Sequence, residues 1–347
     1  MSIDDGYMVE VTTDIFAPYL NDPDVTEILV NKPGEVFTKG RNGSQVYDEP
    51  ALTFDKLEAM TRAISVFNKT KDSILNYYTL PGGERCTIIR PPAAYQGFYG
   101  FIIRKFMPVS LTLEEVRAQG GFDNIKNTAF HVLNDQDINT YLHHDDGLRI
   151  GEDEATLLRH LHNKEYEKFF EFAVQNHKNI VISGATNSGK TTFMRAILEY
   201  IDKTERLITI QDVEELKLDN FPNKLHLIFG RGEGQMRSQQ LLEACMRGTP
   251  DRILLAELRG IETWDYLQSL NTGHPGSITS VHSSSAYRAF MRIATLANQS
   301  EEGRAIGFSA IKETVFNTID IVVQIKNRKL TEIFYDPIFQ LKKLNQN

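Results

Sequence analysis

The spacing of apolar and polar residues in the N-terminal part of the chain indicates a sheet with helices packed on it. Residues 54–70 have helical spacing, with Leu57, Met60, Ile64 and Phe67 on one face. The strings TEILVN and EVFTKG flank a Lys-Pro-Gly turn, and RCTIIRPP and GFYGFIIRKF are two further strand candidates. We therefore expect an N-terminal α/β domain over residues 1–106.

From residue 163 onward the pattern changes to short apolar runs separated by helical segments. The runs NIVISGA, RLITIQD, LHLIFG, DRILLAEL, GSITSVH and IDIVVQI show little alternation. Such runs are typical of strands that are buried on both faces of a sheet. Residues 163–347 are therefore predicted to form an α/β domain with a mostly parallel sheet covered by helices.

Residues 107–162 lie between these two parts and are acidic and polar, with a net charge of −6. Strings such as NDQDINTYLHHDDG and GEDEA are loop-like, and we expect this segment to be an acidic interdomain linker. The pair His143-His144 precedes Asp145-Asp146, which is compatible with a metal site or with a solvated acidic turn. The turn is the favoured interpretation, because adjacent histidines seldom both reach one ion.

The composition limits the classes of function. Apolar residues make up 41% and charged residues 24% of the 347, as in an ordinary globular protein. The acidic N-terminus does not resemble a signal peptide, and no apolar run approaches the ~20 residues of a membrane helix. Cys86 and Cys245 indicate a reducing cytoplasm. The net charge of −8 and the lack of a Lys/Arg stripe disfavour stable nucleic-acid binding.

Residues 184–191 read GATNSGKT, which fits the phosphate-binding pattern G-x-x-x-x-G-K-[ST] between a strand and a helix. Gly184 and Gly189 allow the backbone to curl, so that loop amides and the helix N-terminus converge on phosphate oxygens. Lys190 is predicted to reach the β- and γ-phosphates, and Thr191 to bind Mg²⁺. The predicted nucleotide-binding residues here are Gly184, Ala185, Thr186, Asn187, Ser188, Gly189, Lys190, Thr191 and Thr192.

This loop alone does not decide the reaction, because kinases, GTPases, RecA-like motors and transport ATPases share it. A GTPase is excluded, since no N-K-x-D string follows the loop. Acidic residues end two later strands: Asp212, Glu214 and Glu215 follow LITIQ, and Glu257 follows ILLA. Carboxylates at such strand ends can orient Mg²⁺ and the attacking water, so Glu257 is a predicted metal ligand and catalytic residue.

Glu215 is the preferred general base, although Glu214 is an alternative and a solvated glutamate is an equally simple interpretation of Glu215. His282 ends the strand candidate GSITSVH and is expected near the γ-phosphate, where it could report the nucleotide state. His274 precedes that strand in a Gly-His-Pro-Gly turn and is assigned no chemistry.

Four strings in order, GATNSGKT, ITIQDVEEL, RGTPDRILLAELRG and TGHPGSITSVHSSSA, resemble the motifs of the secretion traffic ATPases. This family includes the motors of type II secretion, type IV pili and type IV secretion. DVTEILVNKPGEVF and GERCTIIRPP…GFIIRKF look like the type IV secretion and conjugation branch. The sequence departs from the family at Gln211, usually glutamate, and at Ala256, often glycine.

The resemblance implies a PAS-like or sensor N-terminal domain, a linker, and a RecA-like C-terminal ATPase domain, with six copies in a ring. It implies that Lys190, Thr191, Glu215, Glu257 and His282 act on ATP and Mg²⁺. It also implies that N-terminal arginines reach the nucleotide. Arg85 and Arg104 are the candidates and Arg90 is a third, with surface ion pairing as the alternative.

The expected function is a MgATP-hydrolysing ring motor at the cytoplasmic face of the inner membrane. Its expected partners are other components of the secretion machine, including the inner-membrane complex and sister ATPases. A type II secretion or pilus motor is the alternative, and a RecA-type nucleic-acid motor, a small-molecule kinase and a non-hydrolysing scaffold are weaker ones. The glycine-rich segment 230–234, with Arg231 and Glu233, is expected to be a loop, either a plain connection or one that faces a ring cavity.

Overall fold

The computed structural model describes residues 3–40, 43–105, 111–144, 148–213, 215–230 and 236–344. The chain divides into two compact units. The first takes residues 1–108 and 230–235, and the second takes 109–229 and 236–347. No helix among the residues described is long and apolar enough to cross a membrane.

The first unit is built on a six-stranded antiparallel sheet with the order β3-β2-β1-β6-β5-β4. Its strands are β1 Val25–Val30, β2 Gly34–Gly40, β3 Gly43–Glu49, β4 Leu75–Thr79, β5 Arg85–Ile89 and β6 Gly100–Arg104. Its helices are α1 Ile3–Thr12, a 3-10 turn Asp14–Phe16, α2 Ala17–Asn21 and α3 Phe54–Phe67.

Helix α3 packs its apolar face into the core of this unit. Thr53 caps the helix by accepting a hydrogen bond from the Lys56 N–H at 3.2 Å. Leu57, Met60 and Ile64 are fully buried, as their spacing predicts. The patterns that predict β1, β2, β5 and β6 are confirmed, whereas β3 was missed because its residues are mostly exposed and polar.

The second unit contains two groups of neighbouring strands, in the orders β10-β9-β11 and β12-β8-β13-β14-β7. All pairs are parallel except β13 with β14. The strands are β7 Lys126–Asn127, β8 Ile180–Gly184, β9 Leu207–Gln211, β10 Lys224–Ile228, β11 Arg252–Leu255, β12 Ile278–Val281, β13 Ile321–Lys326 and β14 Lys329–Tyr335. The predicted mostly parallel sheet is therefore confirmed.

Helices cover both faces of these strands. They are α4 Leu113–Ala118, α5 Asp135–Leu142, α6 Glu152–His162, α7 Tyr166–Gln175, α8 Lys190–Leu198, α9 Ser238–Met246, α10 Glu262–Asn271, α11 Ala286–Ala297, α12 Glu301–Ile306, α13 Phe308–Thr318 and α14 Pro337–Leu344. Ile180 and Ile182 belong to the core on one face, and Val181 belongs to the core on the other. A strand with two buried faces needs an apolar residue at every position, which explains the unbroken runs.

Residues 107–162 are expected to be a linker, but their described part, from residue 111 onward, belongs to the second unit. Leu113, Ile138 and Leu157 are fully buried in the same core as Ile180 and Phe169. The expectation rested on acidity, but most of the described acidic side chains of this segment are exposed and lie on short helices. Capping boxes at Thr112 and Asn134 start α4 and α5, so much of the polarity serves helix ends.

The hydroxyl groups of β12 join β11 to β12. Thr279 Oγ1 donates to the Leu255 carbonyl at 2.6 Å, and Ser280 Oγ donates to the Ala256 carbonyl at 2.8 Å. Ser277 Oγ donates to the Ile253 carbonyl in the same way. These bonds explain why an otherwise apolar core strand is rich in Ser and Thr, and they set β11 beside β12 with the same direction.

Candidate nucleotide site

The phosphate-binding loop follows β8 and leads into α8, as predicted. Gly189 precedes α8 with φ +103°, a conformation that other residues seldom adopt. A Cβ on Gly184 would lie 2.4 Å from Ser188 Oγ and 2.6 Å from the Ile325 carbonyl oxygen. Glycine is thus required at both motif positions. Ala185, Thr186 and Asn187 are exposed at the tip of the loop, whereas Thr192 is half-buried in the first turn of α8.

The Lys190 side chain crosses the base of this loop. Its ammonium group donates to the carbonyl oxygens of Gly184 and Ala185, each at 2.9 Å. It also lies 3.3 Å from Nδ1 of His282. The lysine is 8% exposed, so its positive charge is fixed at the inner side of the loop.

Glu215 lies against the start of α8. Its Oε2 accepts a hydrogen bond from Thr191 Oγ1 at 2.9 Å, and its carbonyl oxygen accepts one from Arg195 Nε at 2.7 Å. A carboxylate from the segment after β9 is therefore next to the hydroxyl predicted to bind Mg²⁺. Glu214, the alternative base, lies outside the described residues.

Glu257 follows β11 and receives hydrogen bonds on both carboxylate oxygens. His282 Nε2 lies 2.9 Å from Oε1, and Arg259 Nη2 lies 2.9 Å from Oε2. Arg259 also pairs with Asp212 after β9. The guanidinium group therefore links the two acidic clusters that the sequence analysis identified separately.

Burial raises the pKa of Glu257, but the hydrogen bonds from His282 and Arg259 outweigh it and lower the pKa to about 2. Burial likewise opposes the charged form of Arg259, yet Glu257 and Asp212 raise the pKa of Arg259 above its usual value. Glu257 is consequently ionised at neutral pH. An ionised carboxylate is the form that can bind Mg²⁺ or orient a water molecule.

His282 connects Glu257 to the phosphate-binding loop. Its Nδ1 lies 3.1 Å from the Gly184 carbonyl oxygen as well as 3.3 Å from Lys190 Nζ. The first contact requires a proton on Nδ1 and the second requires a lone pair, so the proton on this nitrogen decides which contact forms. His282 thus contacts both the phosphate-binding loop and Glu257, and its role as a sensor of nucleotide state stays a prediction.

Arg259 and Gln211 are site residues that sequence reasoning did not place. Glu262 follows Arg259 by three residues, but its Oε1 accepts the backbone N–H groups of Arg259 and Gly260, each at 2.8 Å. In the sequence, the only indication of the role of Arg259 is its position as a cationic residue two places after Glu257. Gln211 was noted solely as a departure from the family.

The other predicted residues lie elsewhere. Arg85 and Arg104 are cross-strand partners on β5 and β6 of the first unit, and their contact with nucleotide stays a prediction. Arg90 pairs with Glu58 and Asp72 inside the same unit, as its ion-pair interpretation requires.

Two histidines outside the site, His274 and His143, lie close to backbone carbonyl oxygens. His274 Nδ1 lies 3.0 Å from the Pro250 carbonyl oxygen, and His143 Nδ1 lies 2.9 Å from the Asn139 carbonyl oxygen. Asp145, Asp146, Arg231 and Glu233 lie outside the described residues. Hypotheses that depend on those four residues therefore stay predictions.

The residues present fit a phosphate group and Mg²⁺. Within the described chain, the buried hydroxyl of Ser188 in the loop has no hydrogen-bond partner. A buried polar atom of this kind calls for an external partner. A threonine hydroxyl and ionised carboxylates form the oxygen donor set that Mg²⁺ prefers.

Comparison with known proteins decides the family. A family model described as Type II/IV secretion system protein matches residues 156–332, about half of the chain. The Type IV secretion system protein VirB11 of Bartonella quintana is 38% identical over 333 residues, covering 93% of this chain and 91% of the relative. The chain belongs to the type II/IV secretion system protein family. The Type IV secretion system protein PtlH of Bordetella pertussis is 34% identical over 322 residues, covering 90% and 88%.

Solved structures agree with this family. The VirB11 ATPase of the Brucella suis type IV secretion system, in complex with sulphate, is 33% identical, with a TM-score of 0.54 over 99% of each chain. The pilus retraction motor PilT with bound ADP is 14% identical, with a TM-score of 0.55 over 98% of this chain and 87% of PilT. The second likeness shows the fold alone. The resemblance to secretion traffic ATPases of the type IV secretion branch and the expected fold class are confirmed.

Proposed function

We propose that this chain hydrolyses MgATP at the carboxyl ends of β8, β9, β11 and β12. The supporting observation is the continuous set of contacts that joins the phosphate-binding loop to the carboxylate after β11. Lys190 contacts the loop carbonyls and His282, and His282 contacts Glu257. Such an arrangement can couple phosphate binding to a carboxylate that holds Mg²⁺.

Each residue has a distinct role in this proposal. The loop amides and Lys190 bind the phosphates, and Thr191 and Glu257 hold Mg²⁺. When bound, the metal neutralises charge that develops on the transferred phosphoryl group. Glu215 accepts the proton of the attacking water, and His282 senses whether the γ-phosphate is present.

The proposed setting is a homohexameric ring in a bacterial type IV secretion or conjugation machine, at the cytoplasmic face of the inner membrane. The support is the identity of 34–38% to proteins named as type IV secretion components over at least 90% of this chain. Arg85 and Arg104 are proposed to reach the nucleotide from the N-terminal unit. Other machine components, including the inner-membrane complex and sister ATPases, are the proposed partners.

Replacing Lys190 by Ala tests the site assignment. The variant should lose ATP hydrolysis and bind MgADP at least about tenfold more weakly, because the charge fixed at the loop is removed. Phosphate release, MgADP titration and mass photometry with and without MgATP measure activity, binding and ring assembly. Normal turnover of Lys190→Ala would refute the site, a monomer under all conditions would refute the ring, and strong salt-dependent stimulation by DNA would favour the nucleic-acid motor.

A further inference from the structure

The carboxamide of Gln211 lies at the carboxyl end of β9 and is fully buried. It is directed toward the segment that carries Glu215. Its Oε1 accepts hydrogen bonds from the backbone N–H groups of Glu215 and Leu216, each at 2.9 Å. One side-chain oxygen therefore fixes two successive peptide units, including the one that carries the proposed general base.

Glu215 also contacts α8. Thr191 bonds to its carboxylate, and Arg195 bonds to its carbonyl oxygen. Gln211 binds the backbone N–H group of Glu215 and so connects Glu215 to strand β9. Because these contacts reach the amide, the carbonyl and the carboxylate separately, together they fix both the place and the direction of the side chain.

The orientation of the carboxamide is set by a second pair of buried groups. Gln211 Nε2 donates to Thr209 Oγ1 at 3.2 Å, and Thr209 Oγ1 lies 2.8 Å from His226 Nδ1. Thr209 is itself fully buried. With Nε2 engaged on Thr209, Oε1 faces the two amides, so the network distinguishes the two ends of the amide group.

We propose that Gln211 is a positioning residue for hydrolysis, which holds Glu215 in place through the backbone rather than by touching the substrate. This inference rests on the proposed function, since it assumes that Glu215 is the base. Displacing a catalytic group by about 1 Å can cost roughly 100-fold in rate. A glutamate at position 211, the usual residue of the family, could accept hydrogen bonds from the same two N–H groups. The glutamine of this chain therefore keeps an acceptor oxygen at that position.

The test compares Gln211→Leu with Gln211→Glu in the full-length protein. Gln211→Leu should lower kcat by roughly 10- to 100-fold, because Glu215 loses its backbone anchor. Its Kd for MgADP should stay within about threefold, because the loop and Lys190 are unchanged. Gln211→Glu should retain kcat within about fivefold, and hydrogen exchange of residues 212–217 should rise in the leucine variant only.

Asn179 supplies a matched control at the opposite ends of the strands. Its Oδ1 also accepts two successive backbone N–H groups, from Gly276 at 2.9 Å and Ser277 at 3.2 Å. Asn179→Leu therefore removes a similar buried acceptor before β8 rather than after β9. It should lower thermal stability while the folded fraction keeps its kcat within about twofold.

Each result separates the two proposals. If Glu215→Gln keeps its activity, the assignment of the base fails, whatever Gln211 does. If Glu215→Gln is inactive but Gln211→Leu turns over normally, the positioning role of Gln211 is overturned. The same conclusion follows if Gln211→Leu and Asn179→Leu lower kcat equally. If Gln211→Leu does not fold, Thr209→Val decides: loss of its orienting hydroxyl should lower kcat several-fold, and an unchanged kcat refutes the inference.

Discussion

Replacing Glu257 by Gln tests the electrostatics of the site most directly. The change keeps the shape of the side chain but removes the charge that His282 and Arg259 surround. We expect ATP to bind while turnover falls by at least about 100-fold, because an electrostatic group at the reaction centre is lost. We also expect a pH-dependent loss of stability.

The magnitude follows from the pKa of Glu257. The Glu257 side chain is 16% exposed, and its pKa falls from 4.5 to about 2 on folding. That difference corresponds to about 3 kcal/mol at neutral pH, an upper value for the cost of the substitution. Because the folded-state pKa is the lower one, this stabilisation is complete above pH ~5 and is lost as the pH falls toward 2. At pH 3.5 roughly 1.4 kcal/mol of it should be gone.

The assay is urea unfolding of both proteins at several pH values between about 7 and 3.5. Trp264 is the only tryptophan in the sequence and is buried in α10 of the second unit, so its fluorescence reports on the unit that carries Glu257. The difference in unfolding free energy between wild type and Glu257→Gln should shrink as the pH falls. A difference that stays constant across this range would refute the depressed pKa and the ion-pair network on which it rests.

Two further substitutions separate chemistry from stability. His282→Asn should lower kcat by about tenfold or more with little change in MgADP affinity, because the link between Glu257 and the phosphate-binding loop is broken; equal kcat in phosphate-release assays would contradict this. Arg252→Met should destabilise the fold by about 3 kcal/mol, because the fully buried guanidinium is bidentate to Glu205 and its loss leaves that carboxylate with a 3.7 Å contact to His177 in place of two short hydrogen bonds. Urea unfolding measures that cost, and a loss of kcat in the folded fraction would contradict a purely structural role.

Local chemistry made much of the phosphate site predictable. Gly184 and Gly189 are required by backbone sterics, and Lys190 follows in the first turn of a helix. The unbroken apolar runs predicted buried parallel strands, because each such residue faces one of two cores. Parallel strands also bring their carboxyl ends to one edge, so Glu257 and His282 could be expected together.

Other features depended on contacts between distant segments. The acidity of residues 107–162 suggested a linker, yet burial of a few apolar side chains outweighs the exposed charges and packs the described part of this segment, from residue 111, into the second unit. Edge strand β3 escaped detection because an exposed strand needs no apolar pattern.

The family, the phosphate-binding loop and the types of residue at the strand ends could all be predicted from the order of amino acids. The partners of these residues depend on the fold: Arg259 pairs with Glu257 and Asp212, whereas Glu262 accepts the backbone N–H group of Arg259. The fold also explains the contacts of Gln211. Its two backbone N–H partners lie four and five residues later, and they reach its carboxamide only because the chain turns after β9. Residue type and spacing follow from local sterics, whereas the choice among several carboxylates depends on distances that the whole fold sets.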